Sequence, residues 1–194
     1  MNTPSMNSLA LSSRRLRGMG ILRMVFGLVM AIDAWFKWQP SFMNNFTSYL
    51  TGSLDGQSAA IQAWIHFWIR VVQVNPHFFA YLVAAGETAV AIGLIFGLLS
   101  NLTDLVGMLL SFFIWTTAEG FGGPYQAGST DIGAAIIYAL VFVGLFLAHA
   151  GLSYGVDRHL ASLLGRFSFL ASGRPTQQES ATSQIKRTVP LVTA

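Results

Sequence analysis

Four stretches of this chain, 19–38, 78–99, 102–118 and 132–152, are mostly apolar and nearly free of charge. A helix needs about 20 such residues to cross the hydrocarbon core of a bilayer, where no water is present to satisfy an open backbone. Four runs near that length within 194 residues predict a protein built into a membrane. Composition agrees, since only 10% of the residues are charged, against roughly a quarter in soluble chains. The expected fold class is therefore all-α, an integral membrane four-helix bundle.

The second and third stretches are separated by little more than Ser100-Asn101, which predicts a tight antiparallel hairpin. An even number of spans puts both termini on one side. Arg14, Arg15 and Arg17 precede the first stretch, and Arg158, Arg166, Arg174, Lys186 and Arg187 follow the last. The loops between carry Lys37 and Arg70, so the positive-inside rule places both termini in the cytoplasm. The expectation is a four-span, multi-pass protein of the plasma (inner) membrane, with 39–77 and 119–131 outside. The arginines near the N-terminus are not followed by a small-residue cleavage pattern, so the first apolar stretch reads as a retained anchor. Three regions follow: a cytoplasmic segment 1–16, a membrane domain 17–170, and a polar tail 171–194 expected to be disordered.

Two amphipathic helices are predicted besides the spans. In "QSAAIQAWIHFWIRVVQV", Ile61, Trp64, Ile65, Trp68 and Val72 share one helical face, and Gln62, His66, Arg70 and Gln73 the other. That pattern suits a helix lying in the outer interface, with a shorter helix before it at about 42–50. After the last span, Val156, Leu160, Leu163, Leu164 and Phe167 form an apolar face opposite Arg158 and Arg166.

Several function classes drop out. The basic residues collect near the ends without interleaved aromatics, so nucleic acid is not an expected partner. With no cysteine, the chain has no disulfide, iron–sulfur ligation or covalent haem of its own. The four histidines share neither a helical face nor a ligand spacing, and no metal or covalent cofactor is expected.

Ionisable residues inside spans need a reason. Asp33 and Lys37 are four apart and suited to pair on one helical face. Arg23 lies about a turn into the first span, within reach of cytoplasmic headgroups by snorkelling. Glu87 sits mid-span in "YLVAAGETAVAIGLIFG". It is either a buried carboxyl that fixes packing, for instance against Arg23, or a proton-linked group lining a substrate cavity. The turn "AEGFGGPYQAGSTDIGAA" carries Glu119 and Asp131 among glycines. It reads as a connection with Ser129, Thr130 and Asp131 as N-caps, or as an outer anion seat at the start of the fourth span.

These motifs resemble a known family. "RMVFGLVMAIDAWFKW", "GETAVAIGLIFGLLS" and "HAGLSYGVDRHL" are similar to the first, second and closing segments of DoxX/DoxD membrane proteins, and "WTTAEGFGGPYQAGSTDIGAAIIYALVF" resembles the DoxD branch. The resemblance covers about 17–164. It implies the membrane subunit of a thiosulfate:quinone oxidoreductase, which oxidises thiosulfate to tetrathionate and passes electrons to quinone as diffusible co-substrate. It also implies a second, DoxA-like subunit or another redox partner, beside the lipid bilayer and a possible homo-oligomer. Within that frame, depth and chemistry suggest Glu87, Glu119 and Lys37 as catalytic groups. Arg70, Thr130, Asp131, Trp35, Trp115 and Tyr138 are the candidates for binding substrate, and Arg23 and Asp33 for structural ion pairs. The alternative is a non-catalytic assembly or anchoring subunit of a larger redox or energy-transducing complex.

Overall fold

The computed structural model describes residues 6–152, 154–157, 160 and 164–172, all helix, turn and loop, with no strand among them. Among the described residues the main α-helices are α1 Met6–Lys37, α2 Pro40–Asn44, α3 Phe46–Gly52, α4 Ala59–Val72, α5 Pro76–Phe96, α6 Ser100–Thr116 and α7 Ala134–Leu147. Helix α1 packs on α5, α5 on α6, and α6 on α7. Among the described residues, two stretches, Leu16–Lys37 and Pro76–Phe96, are long and apolar enough to cross a membrane. Large apolar side chains stand exposed along them, among them Val25, Leu28, Ile32, Leu82 and Ile92. That is the surface a lipid solvent demands and water would penalise.

Local signals set the ends. Asn75 accepts the Phe78 amide and Pro76 opens α5, while Gly97 closes it in the left-handed region at φ 61°. A β-carbon at Gly97 would run into the Arg23 guanidinium, so glycine is needed for space as well as for φ. The fourth apolar stretch is shorter as a helix than its composition suggests. Gly133, at φ 91°, delays the start to Ala134, and His149, at φ 47°, ends the α-helical run before a 3-10 turn at Ala150–Leu152. Fourteen residues reach about 21 Å, less than the roughly 30 Å hydrocarbon thickness.

The helices meet at unequal heights. The C-terminal end of α1 reaches only the midpoint of α5, where Trp38 Nε1 donates to Thr88 Oγ1 at 3.0 Å. About 16 Å of α5 therefore rises beyond α1, and α2, α3 and α4 fill the space beside it. Phe42, Phe46, Leu50, Ile65, Ile69 and Val72 bury there against Ala80 and Ala84 of α5. A second core, with Phe26, Met30, Leu94, Phe142 and Leu145, occupies the opposite half. Between Ala84 and Val90 the two cores part, and Glu87 stands in the gap.

This corrects several expectations. The apolar face of α4 packs inside the protein, where the folded chain offers it α2 and α3; Trp64 and Phe67 remain exposed. The expected helix at 42–50 is two short helices, broken at Asn45. Near the C-terminus, Val156 and Phe167 are exposed rather than turned inward. Asp157 and Leu160 are helical, the expected helix otherwise falls largely on 158–159 and 161–163, outside the described residues, and a 3-10 helix follows at Gly165–Leu170. Packing continues past 170: Ala171 and Ser172 are buried, and Ser172 Oγ donates to Asn101 Oδ1 at 2.8 Å. Most of the expected tail, 173–194, lies outside the described residues.

Candidate functional site

Lys37 ends α1, where a cation meets the negative end of the helix dipole. Its ammonium lies 3.1 Å from Asp33 Oδ1, one turn back, and 3.3 Å from Glu87 Oε2 on α5. The ring of Phe42 lies 5.6 Å from the same nitrogen. Glu87 is 1% exposed, and a carboxylate at that depth is tolerated because a cation stands beside it. The charge that sequence position left without a partner is thus paired with Lys37, not with Arg23.

These groups face a small chamber of about 130 Å³. Asp33 and Lys37 line it from α1, Glu87 from α5, Ser111 from α6, Glu119 from the turn after α6, and Tyr138 from α7. Met30, Leu110 and Ile114 complete the wall with apolar surface. Above it opens a much larger cleft of about 680 Å³, walled by residues such as Phe42, Tyr49, Leu50, Val72 and Phe113. Lys37, Leu110, Ile114 and Glu119 line both spaces, so the polar chamber and the apolar cleft share a wall.

Glu119 has a second task. Its two carboxylate oxygens accept the Ala135 amide at 3.2 and 3.1 Å, which closes the N-terminus of α7. Burial pushes its carboxyl above the ordinary glutamate range, and the amides of Ala135 and Ala134 pull it part of the way back. The helix end that sequence reading offered to an outside anion is therefore taken by the protein's own carboxylate. Asp131 accepts from Gly133 at 2.9 Å, in the turn that leads into α7, rather than capping the helix itself.

The structure brings together Lys37, Glu87, Glu119, Asp33 and Tyr138 and leaves the other candidates apart. Arg70, Thr130 and Asp131 are exposed and line neither space. Trp35 is 65% exposed on the outward side of α1. Trp115 donates its indole N–H to Ile132 O at 2.8 Å, tying α6 to the loop before α7, and also lines neither space.

Arg23 belongs elsewhere. It is fully buried, not snorkelling, and its Nη2 donates to Tyr154 O at 3.2 Å. Around it are two carboxylates that sequence reading passed over, Asp104 and Asp157, both buried. Asp157 Oδ2 accepts the amides of Ser100 and Ser172 at 2.8 and 2.9 Å, capping α6 and holding the end of the described chain. An aspartate at the third position of an apolar stretch was the available signal for Asp104. Ser111, a small hydroxyl in an apolar helix, gave none.

The sequence model of the family described as DoxX matches residues 18–120, just over half of the chain. The match runs through α1 to α6 and includes Asp33, Lys37, Glu87, Ser111 and Glu119. The chain belongs to the DoxX family. It is a membrane protein of a family often associated with redox and quinone-related complexes. In this DoxX chain the matched region supplies the whole α1–α5–α6 side of the chamber, and Ala134, Ala135 and Tyr138 of α7 close it from beyond the match. No curated protein and no solved structure matches the chain.

Proposed function

We propose that this DoxX chain is the membrane subunit of a quinone-linked redox complex, and that the chamber is where a quinone head group meets the protein's protons. The observation that carries this reading is the convergence of Lys37, Asp33, Glu87, Glu119 and Tyr138 in one small space between two apolar cores. Ionisable groups are kept at such depth where a proton or ion is handled. Reduction of quinone to quinol takes up two protons with two electrons. Lys37 and Tyr138 offer donors to a carbonyl oxygen, and the neighbouring carboxyls hold or return protons within hydrogen-bonding reach.

In this reading α1, α5 and α6 cross the membrane, α7 crosses it together with the turns that flank its 14 residues, and both termini are cytoplasmic, as the arginine distribution requires. Electron supply of the thiosulfate:quinone oxidoreductase type then divides between subunits. Thiosulfate is a dianion, the chamber holds three carboxyls against one lysine, and Glu119 fills the α7 helix end. Oxidation to tetrathionate accordingly belongs to a partner, DoxA-like or another redox protein, docked on the outer face.

Quinone reduction in membranes containing the complex tests the proposal. Lys37→Ala and Glu87→Gln are each expected to lower the thiosulfate-dependent rate by about 100-fold, the scale of a lost acid–base group. Full rates in both variants would overturn the site. A non-catalytic assembly subunit is the second reading, favoured by the use of Glu119 and Arg23 to hold helices and loops in place. A partner that keeps its activity once this chain is removed would decide for it.

A further inference from the structure

We infer that the outer cleft seats the tail of a single-chain amphiphile whose uncharged head lies in the chamber, a prenylated quinone rather than a bilayer phospholipid. This rests on the quinone reading above and goes beyond it, because most of the cleft wall comes from α2, α3 and α4 together with α5 and α6, and only Lys37 and Glu119 bring charge to it. The cleft opens to the surface and holds about 680 Å³, within the size range of pockets that hold small molecules. Its walls are aromatic and aliphatic, with Phe42, Phe46, Leu50, Val72 and Phe113 prominent. Lys37 and Glu119, its two charged wall residues, are also walls of the chamber. A ligand that fills both spaces is therefore polar at one end and apolar over the rest.

Charge decides between the amphiphiles available in a membrane. A phosphate head entering the chamber would meet Asp33, Glu87 and Glu119 with Lys37 as its single counter-charge. An uncharged quinone ring meets no such repulsion, and its two oxygens find the donors of Lys37, Ser111 and Tyr138. The tail then runs over Leu110 and Ile114, the apolar part of the shared wall, into the cleft.

The full chain in nanodiscs, with a long-tailed benzoquinone carrying a diazirine at the tail end, tests this directly. Photolabel is expected on the α2–α3 and α6 walls of the cleft. Leu50→Trp, which fills the cleft away from the charged groups, is expected to cut that label about tenfold. Binding of a short-tailed benzoquinone, measured in the same preparation, reports the chamber alone and is expected in both proteins. If the short-tailed compound binds but the long tail labels only outward residues such as Leu28 and Trp35, the tail inference is overturned and the quinone reading stands. If neither compound binds, the quinone reading falls and takes the inference with it. Equal labelling of the cleft by a diazirine phospholipid would overturn the choice of occupant.

Discussion

Glu119 and Ala135, sixteen positions apart, are joined through both carboxylate oxygens to one amide, at 3.2 and 3.1 Å. The contact ties the turn after α6 to the first residues of α7 and closes one side of the chamber. An acid at a helix N-terminus satisfies an orphan donor and opposes the positive end of the dipole. Glu119→Ala is expected to lower stability by about 1 kcal/mol, the usual scale of a lost cap, with Glu119→Gln retaining part of it. Thermal unfolding in detergent measures both.

The same residue makes stability depend on pH. Its carboxyl lies above the ordinary value of 4.5 because burial disfavours the charged form more than the amides favour it. The folded chain thus binds this proton more tightly than the unfolded chain. Its contribution is complete below the ordinary value and is lost as pH rises through the raised one. A melting-temperature series across this range should show that decline in the wild type, and a flatter profile in Glu119→Gln.

Lys37 holds two carboxylates, and among the described ion pairs neither of them meets another cation. Lys37→Ala leaves Glu87 buried without compensation, at an expected cost of roughly 3 kcal/mol. Adding Glu87→Gln removes the stranded charge, so the double variant should be more stable than the sum of the singles predicts. Additivity in that cycle would mean the pair does not interact.

Helices α6 and α7 approach closely at Gly107, where a β-carbon would collide with the ring of Phe142. Phe142 is fully buried and also meets Phe26 edge-on at 5.0 Å, so the ring cannot simply swing away. Gly107→Ala is expected to destabilise by about 1–3 kcal/mol. Phe142→Leu in the same chain should recover part of the loss in a denaturant titration.

Asp157 joins the start of α6 to the end of the described chain. Asp157→Ala removes the acceptor of the Ser100 and Ser172 amides, a charged hydrogen bond in a buried place. Hydrogen exchange at those two amides is expected to speed up by about tenfold, with the middle of α5 unchanged. Unaltered exchange at Ser172 would mean that other contacts, such as Ser172 to Asn101, suffice.

Much of the architecture was readable before any coordinates. The ends of α5 and α6 lie within three residues of the second and third expected apolar stretches, and the first matches Leu16–Lys37, the apolar part of the longer α1, because transfer into a low-dielectric solvent depends on composition over a window, and composition is local. The Asp33–Lys37 contact was legible for a similar reason, since a four-residue spacing puts two side chains on one face of any helix. Glu87 was legible as a residue in need of an explanation, because depth alone makes a carboxylate expensive.

Its partner was not legible. Lys37 meets Glu87 because α1 stops halfway along α5, and relative height and rotation of two helices come from how whole faces pack. The same holds for Glu119 at the head of α7, for Arg23 beneath Gly97 and Tyr154, and for α4, whose apolar stripe was equally suited to lipid or to a core. Hydropathy states how much of a side chain must leave water and is silent on what it will touch instead. That choice is made by contacts between residues tens of positions apart, and here it decides which charges form the chamber and which only hold the fold.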